Sequence, residues 1–181
     1  SLSLGAIREG GTFTAGTLAV RNTAAADGFS EKLTVRLSSS SALITAGSLD
    51  LLAAGGTDAS TLRASLDATG ATAGPLTGGV TLNYFSDGSG TTDLGTLAVG
   101  TQNATVLGAV YRRANPVLSA GSLNLGNVRA NAALGSGSVL LSNAAATDSY
   151  SDRLAYAGTG SNGFVLLTGG GTLDAGSLAS L

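Results

Sequence analysis

Carboxylate side chains recur at short spacing in two segments of the chain, and loop carboxylates are ligands that calcium prefers. Asp27 and Glu31 lie four residues apart, and Asp87 and Asp93 flank a run of Gly, Ser and Thr that resembles an oxygen-rich calcium loop. Calcium needs six or more oxygens, and the second segment lacks the bidentate Glu that closes an EF-hand. Calcium is therefore the one candidate cofactor, and the alternative is local bonding of these side chains to the backbone.

Residues for catalysis and covalent cross-linking are scarce. The chain has no His or Cys, so a hydrolase would need a Ser–Lys pair or two carboxylates, and no local signature for either is present. Lys32 could form an isopeptide bond with an Asn, but its counterpart in a duplicated segment is the unreactive Arg153. We expect Lys32 to be a surface cation that faces Glu31. Asn103-Ala104-Thr105 matches a glycosylation sequon inside a predicted strand. We predict that the chain is not an enzyme.

The segment that begins at Asn22 returns at Asn143, which is 143 − 22 = 121 residues later. Residues 1–33 align with 122–154 without a gap, and the matches include Asn, Asp, Arg and Ser as well as Leu and Ala. A duplicated module of this size indicates a tandem array.

The two copies differ further along the chain. Ala46-Gly47-Ser48-Leu49 matches residues 175–178 at an offset of 175 − 46 = 129, so the second copy is expected to carry 129 − 121 = 8 extra residues, placed around residues 158–163. We predict a complete repeat over residues 1–115. Residues 116–181 form the N-terminal half of a second repeat, which a neighbouring chain could complete.

Apolar and polar residues alternate with a period of two, which is typical of β-strands. The predicted strands include segments around Leu33–Leu37, Leu62–Leu66 and Val80–Tyr84, and residues 103–111. The apolar phase slips at Gly16 and at its copy Gly137, which predicts a β-bulge. Seven or eight short strands in the first repeat favour an all-β fold of tandem immunoglobulin-like sandwich modules, the second incomplete. A β-solenoid is the alternative, although its coils repeat at shorter periods.

Composition narrows the classes of partner. The chain has 181 residues, a net charge of −2, 28 Gly and 2 Pro, and only 11% charged and 4% aromatic residues. No cluster of Lys and Arg is present to neutralise phosphates, so nucleic acid is not expected as a partner. No apolar run approaches the ~20 residues of a membrane helix, so membrane insertion is not expected either. A weakly charged surface favours self-association.

The segments "NTAAADGFSEKL" and "SDGSGTTDLGT" resemble parts of the repeats of choice-of-anchor D domain proteins. The resemblance covers nearly the whole chain. It implies secreted, Cys-poor proteins of the bacterial cell surface with tandem immunoglobulin-like modules, and it supplies no catalytic residues.

Two functions follow as expectations. The first is an extracellular structural subunit that polymerises into a fibre, surface layer or biofilm matrix through strand complementation between subunits. The second is an adhesin stalk or binding module that recognises a glycan or a host surface, for which exposed aromatic residues such as Tyr84, Phe85, Tyr111, Tyr150 and Tyr156 would be needed.

Overall fold

The structure is a computed structural model that describes residues 1–40, 43–133, 135–160 and 169–181. In these ranges the regular secondary structure consists of β-strands, without a helix, which confirms the predicted all-β class. The chain divides into two compact units, Ser1–Val110 and Tyr111–Leu181. The division lies close to the boundary that the sequence predicted after residue 115.

Unit 1 is built from strands in several sheets. The strands are β1 (Leu2–Arg8), β2 (Gly16–Thr17), β3 (Val20–Arg21), β4 (Lys32–Ser39), β5 (Leu43–Ala46), β6 (Leu49–Leu52), β7 (Thr57–Asp58), β8 (Arg63–Leu66), β9 (Gly74–Asp87) and β10 (Leu97–Tyr111). A five-stranded sheet has the order β1-β10-β9-β4-β6, a three-stranded sheet has the order β2-β8-β5, and β3 pairs with β7. The strand segments predicted from alternation lie in β4, β8, β9 and β10, and are confirmed.

An apolar core lies between the two larger sheets of unit 1. Its most deeply buried side chains include Val35, Val80, Val106 and Val110 of the five-stranded sheet and Ala64 and Leu66 of the three-stranded sheet. Gly108 of β10 lies so close to β8 that a Cβ at this position would be 2.8 Å from Leu66 Cδ1. The pairing of β4, β9 and β10 is antiparallel, unlike the parallel stacking of solenoid coils. The immunoglobulin-like assignment stays a prediction.

Gly16 has a different role from the predicted one. The β2–β8 pair has regular register at Gly16, and Gly16 is not among the glycines with positive φ. A Cβ at Gly16 would lie 2.9 Å from Leu2 Cδ1, and one at Gly137 would lie 2.8 Å from Leu123 Cδ2. The predicted bulge is therefore wrong. Both glycines lie against a leucine side chain, and the phase slip lies just before β2, which begins at Gly16.

Unit 2 repeats part of unit 1. Its strands are β11 (Pro116–Leu118), β12 (Leu140–Asn143), β13 (Leu154–Ala157), β14 (Gly170–Leu173) and β15 (Leu178–Ser180). They form a sheet of order β11-β12-β15 and the pair β13-β14. Subtracting 121 from the residue numbers identifies β12 and β15 with β3 and β7, and β13 and β14 with β4 and β6. Strand β11 lies before the first residue of the repeat.

The predicted eight-residue insertion in the second copy is wrong. The pair Leu154–Leu173 in unit 2 corresponds to Leu33–Leu52 in unit 1, and both pairs enclose the same spacing, 173 − 154 = 52 − 33 = 19. The match at offset 129 aligned two different turns. Of the predicted insertion, residues 161–163 lie outside the described residues. At the offset of 121, Leu181 corresponds to Ser60.

Candidate functional site

Asp27 forms a local turn. Its Oδ1 accepts a hydrogen bond from the Phe29 N–H at 2.9 Å and another from the Ser30 hydroxyl at 3.3 Å. These donors favour the charged form and hold the pKa of the Asp27 carboxyl below its ordinary value. Asp148 repeats both bonds, to the Tyr150 N–H at 2.9 Å and the Ser151 hydroxyl at 3.2 Å. The duplicated acid therefore serves a duplicated turn.

Glu31 lies immediately before β4 and bonds both to β9 and to the loop that follows it. Its Oε2 accepts from the Ser86 hydroxyl, and its Oε1 from the Thr92 hydroxyl, each at 2.5 Å. The two hydroxyls lower the pKa of the Glu31 carboxyl, and the negative charge of Asp87 opposes this shift. Both oxygens of Glu31 thus have side-chain donors from residues far along the chain. The sequence pointed to Glu31 as a candidate ligand but not to these partners.

Asp87 and Asp93 shape the loop between β9 and β10. Asp87 Oδ1 accepts from the Ser89 N–H at 3.0 Å, and the side chain and backbone of Ser89 lower the pKa of the Asp87 carboxyl. Asp93 Oδ1 accepts from the Gly90 N–H at 3.3 Å. Three successive N–H groups, of residues 91–93, donate to the carbonyl oxygen of Gly88. The loop is closed by its own backbone and carboxylates.

The four candidate ligands do not form one site. Glu31 lies near Asp87, whereas the bonds of Asp27 are to its own turn. In the described residues, three or more acidic side chains do not come together in a way that could hold a metal ion. For Asp27, Asp87 and Asp93 the geometry favours the alternative that the sequence left open, in which the side chains bond to local backbone groups. Glu31 differs, because it bonds to two hydroxyl groups far along the chain.

Lys32 does not face Glu31 as expected. Its Nζ donates to the carbonyl oxygen of Ser89 at 3.3 Å, and its positive charge helps to lower the pKa of Asp87. Glu31 precedes β4 and bonds to Ser86 and Thr92, whereas Lys32 bonds to Ser89, so the two side chains have different partners. Lys32 and Glu31 each hold a different part of the same loop.

The sequence analysis did not recognise what the duplicated asparagine does. Asn22 Nδ2 donates to the carbonyl oxygens of Glu31 and Leu52, at 3.3 and 3.1 Å. Asn143 Nδ2 donates to the corresponding carbonyls of Asp152 and Leu173, at 3.1 and 3.3 Å. Both asparagines are buried, and Asn143 fully. Their recurrence among Ala residues was the signal that could have indicated a structural role.

Comparison with known proteins adds no relationship, because no family model and no curated protein matches the chain. The resemblance to choice-of-anchor D domain proteins stays a prediction. In the described part of the chain no helix has the length and apolar character needed to cross a membrane.

The aromatic residues considered for glycan binding are partly buried. Tyr84 donates its hydroxyl to Gln102 Oε1 at 2.9 Å, and burial raises its pKa. Tyr111 and Tyr150 contact each other, with ring centroids 5.7 Å apart. Phe29 is the exception, since 87% of it is exposed. Of the aromatic residues named here, Phe29 is therefore the most accessible to a ligand.

Proposed function

We propose that the chain is an extracellular structural subunit of a bacterial fibre, surface layer or biofilm matrix. One observation carries the proposal: in both units a buried asparagine donates the same two Nδ2 hydrogen bonds to backbone carbonyl oxygens. The duplicated feature is a set of hydrogen bonds that holds strands together. Repetition of such a device suits a protein whose task is to extend and to bear load. The resemblance to choice-of-anchor D domain proteins supports the extracellular bacterial setting.

Assembly through strand complementation is part of the proposal. Strand β4 pairs with β6 on one edge and with β9 on the other. Its counterpart β13 pairs with β14 on one edge, and within the described residues its other edge has no strand. An open edge presents unpaired N–H and C=O groups to any extended segment. We propose that a neighbouring subunit supplies that segment.

Negative-stain microscopy and sedimentation of the purified chain over a wide range of concentration test the polymer directly. Filaments or a concentration-dependent series of oligomers are expected. Particles that stay strictly monomeric at the highest concentration would overturn the polymer proposal.

A proline on the open edge tests the mode of assembly. The Gly158 N–H donates to the Gly169 carbonyl at 2.8 Å, and strand groups alternate, so the Ala155 N–H lies on the edge away from β14. Ala155→Pro removes that donor and should abolish assembly, whereas Ala155→Val should assemble like the original chain. Circular dichroism verifies that both variants fold. Assembly of a folded Ala155→Pro chain at the original rate would contradict complementation at this edge and leave the polymer itself untouched.

Glycan binding is the alternative function, and it predicts something different. A glycan array would detect saturable binding that is lost when an exposed aromatic residue, Phe29 above all, is replaced by Ala. Strand complementation predicts assembly without any added ligand.

A further inference from the structure

Strand β12 of unit 2 has neighbours on both of its edges. β15 lies on one edge and β11 on the other, with Pro116, Val117 and Leu118 opposite Asn143, Ser142 and Leu141. The Ala144 N–H donates to the Asn115 carbonyl at 2.7 Å, and the Asn115 N–H donates to Asn143 Oδ1 at 3.0 Å. The segment that leads into the second repeat is therefore bound as a strand beside the buried asparagine.

The residues just before β11 extend this contact. Arg112 pairs with Asp148 through Nη1 and donates to the Ser151 hydroxyl at 3.1 Å. The Arg112 N–H donates to the Tyr150 carbonyl at 2.9 Å, and the Arg112 carbonyl accepts from the Asp152 N–H at 3.0 Å. Arg112 also lowers the pKa of the Asp148 carboxyl.

Unit 1 has residues that correspond to those which bind this segment in unit 2, but no segment of the described chain is bound to them. The counterparts of β12 and Asn143 are β3 and Asn22, and in the described residues the edge of β3 away from β7 has no strand. The Thr23 N–H corresponds to that of Ala144. Among the residues that the structure describes, it has no hydrogen-bond partner. Asn22 Oδ1 accepts from the Ala24 N–H at 3.1 Å, but nothing described takes the place of the Asn115 N–H.

A groove of about 540 Å³ runs along this open edge. Residues 19–24 line one side, and Leu33, Tyr84, Val99 and Gln102 line the rest. Val99 is 55% exposed, so an apolar residue in the groove would cover it. The groove therefore has room beside the backbone edge and an apolar wall for a strand such as Pro-Val-Leu.

The turn beside the groove is complementary to the start of the segment. Asp27 corresponds to Asp148, and among the described residues it has no cationic partner. Phe29 corresponds to Tyr150, whose ring contacts Tyr111 in unit 2, and it is 87% exposed. An aromatic residue and an arginine placed like Tyr111 and Arg112 would contact the Phe29 ring and pair with the Asp27 carboxylate.

We propose that this edge of unit 1 binds an extended segment with the chemistry of residues 111–118, belonging to another repeat of the same kind. The required features are an aromatic residue and an arginine, followed by Asn-Pro-Val-Leu. The segment adds a strand to β3, its arginine pairs with Asp27, and its aromatic ring covers Phe29. The inference deepens the proposed assembly by strand complementation, because it identifies a second acceptor edge and the sequence that fits it.

The test joins a second copy of residues 111–121 to the N-terminus of the full chain. Since 122 − 121 = 1, the added segment then precedes Ser1 as the native segment precedes Ser122. Exchange of the Thr23 N–H with deuterium, measured by NMR, should slow at least about tenfold as it gains a carbonyl partner. The thermal midpoint of unit 1 should rise. The Ala144 N–H is the internal reference for the bound state.

Two matched controls distinguish specific binding of the added segment to the β3 edge from a general effect of extra residues. An extension of scrambled sequence should leave Thr23 exchange unchanged. In the extended chain, Asp27→Asn should reduce Thr23 protection about fivefold, because the pair with the arginine is lost, whereas Asp148→Asn should leave Thr23 unaffected. Equal Thr23 exchange with the native and the scrambled extensions would overturn the proposal.

Titration of the unextended chain with a synthetic peptide of residues 111–119 provides an independent measurement. Amide shifts should saturate at residues 20–30. Shifts confined to residues 141–152 would mean that the peptide only displaces β11, and would overturn the assignment to unit 1. Protection of Thr23 found only in dimers, with loss at Ala144, would mean that residues 111–118 of one copy bind unit 1 of another, and would support the assignment to this edge. These measurements use monomers, so a failure to polymerise would count against the proposed function alone.

Discussion

Asn143 Nδ2 donates a hydrogen bond to the carbonyl oxygen of Leu173 at 3.3 Å, and Asn22 Nδ2 donates to the carbonyl of Leu52 at 3.1 Å. In each unit the donor and acceptor are thirty residues apart. The second Nδ2 bond of each asparagine reaches the residue nine positions later. In each unit, therefore, one asparagine amide links the same three backbone segments.

Replacing Asn143 with Ala should destabilise unit 2 by about 2–4 kcal/mol, because two carbonyl oxygens lose a donor and two N–H groups lose an acceptor in a buried place. Urea unfolding, followed by the NMR signals of unit 2, measures the loss. Asn127→Ala, at an exposed position, is the matched control and should change stability by less than about 0.5 kcal/mol. An equal, small effect of both substitutions would contradict the structural role of Asn143.

Asn143→Asp should destabilise further at neutral pH, because a buried carboxylate would face the carbonyls of Asp152 and Leu173 instead of donating to them. Its pKa should be raised in the folded state, so the added loss should shrink as the pH falls below that pKa. Unfolding at pH 7 and at pH 4 measures the difference. A loss that grows on acidification would be inconsistent with these acceptors.

The strands could be predicted from the sequence because alternation of apolar residues depends on burial alone, as at Val80 and Leu82. The register of the second copy could not. Ala-Gly-Ser occurs at residues 46–48 and again at 175–177, and in both places the glycine has positive φ, +90° at Gly47 and +77° at Gly176. Similar turns need similar residues, so a short match aligned turns that are not equivalent.

The contacts of the loop between β9 and β10 also could not be predicted from the sequence. Glu31 and Thr92 are 61 residues apart, and only the pairing of β4 with β9 brings them together. Loop polar residues carry no periodicity that reports such a contact. Asp27 differs, because its turn is local and the sequence predicted local bonding as the alternative to calcium.

Gly108→Ala should overpack the core of unit 1. The new Cβ would lie 2.6 Å from Phe13 Cε1 and 2.8 Å from Leu66 Cδ1, and Phe13 is buried, so its ring has little room to move. A loss of about 1–3 kcal/mol is expected from urea unfolding. Gly79→Ala is the control in the neighbouring strand, because its Cβ would meet no atom within 4 Å.

A double substitution tests the cause of that loss. Phe13→Leu should destabilise the original chain, but in the Gly108→Ala chain it should cost less, because it removes the crowded ring atoms. The coupling free energy from the four chains measures the contact. Strictly additive losses would mean that Gly108 is required for some reason other than the Phe13 ring.

The pKa of Glu31 should depend on its two hydroxyl donors. They lower it from the ordinary value of 4.5, so the stability that they contribute is present above that value and is lost as the pH falls through the folded-state pKa. Ser86→Ala and Thr92→Ala should each raise the pKa of Glu31 and weaken this pH dependence. The chain has two glutamates, Glu9 and Glu31, so NMR of glutamate labelled with carbon-13 gives two carboxyl signals, which Glu31→Gln assigns. A pKa of Glu31 that is unchanged in both variants would contradict the bonds.

Calcium should not bind the chain or change its thermal stability. Asp27, Glu31, Asp87 and Asp93 each accept hydrogen bonds from N–H or O–H groups, and binding a metal would break several of these bonds without bringing six oxygens together. The thermal midpoint should be the same with millimolar calcium and with a chelator, and calorimetry should detect no saturable heat. Asp87→Asn supplies the control, since any specific effect of calcium at this loop should depend on its charge. A rise in the midpoint that saturates with calcium and disappears in Asp87→Asn would show that the loop after β9 binds the ion.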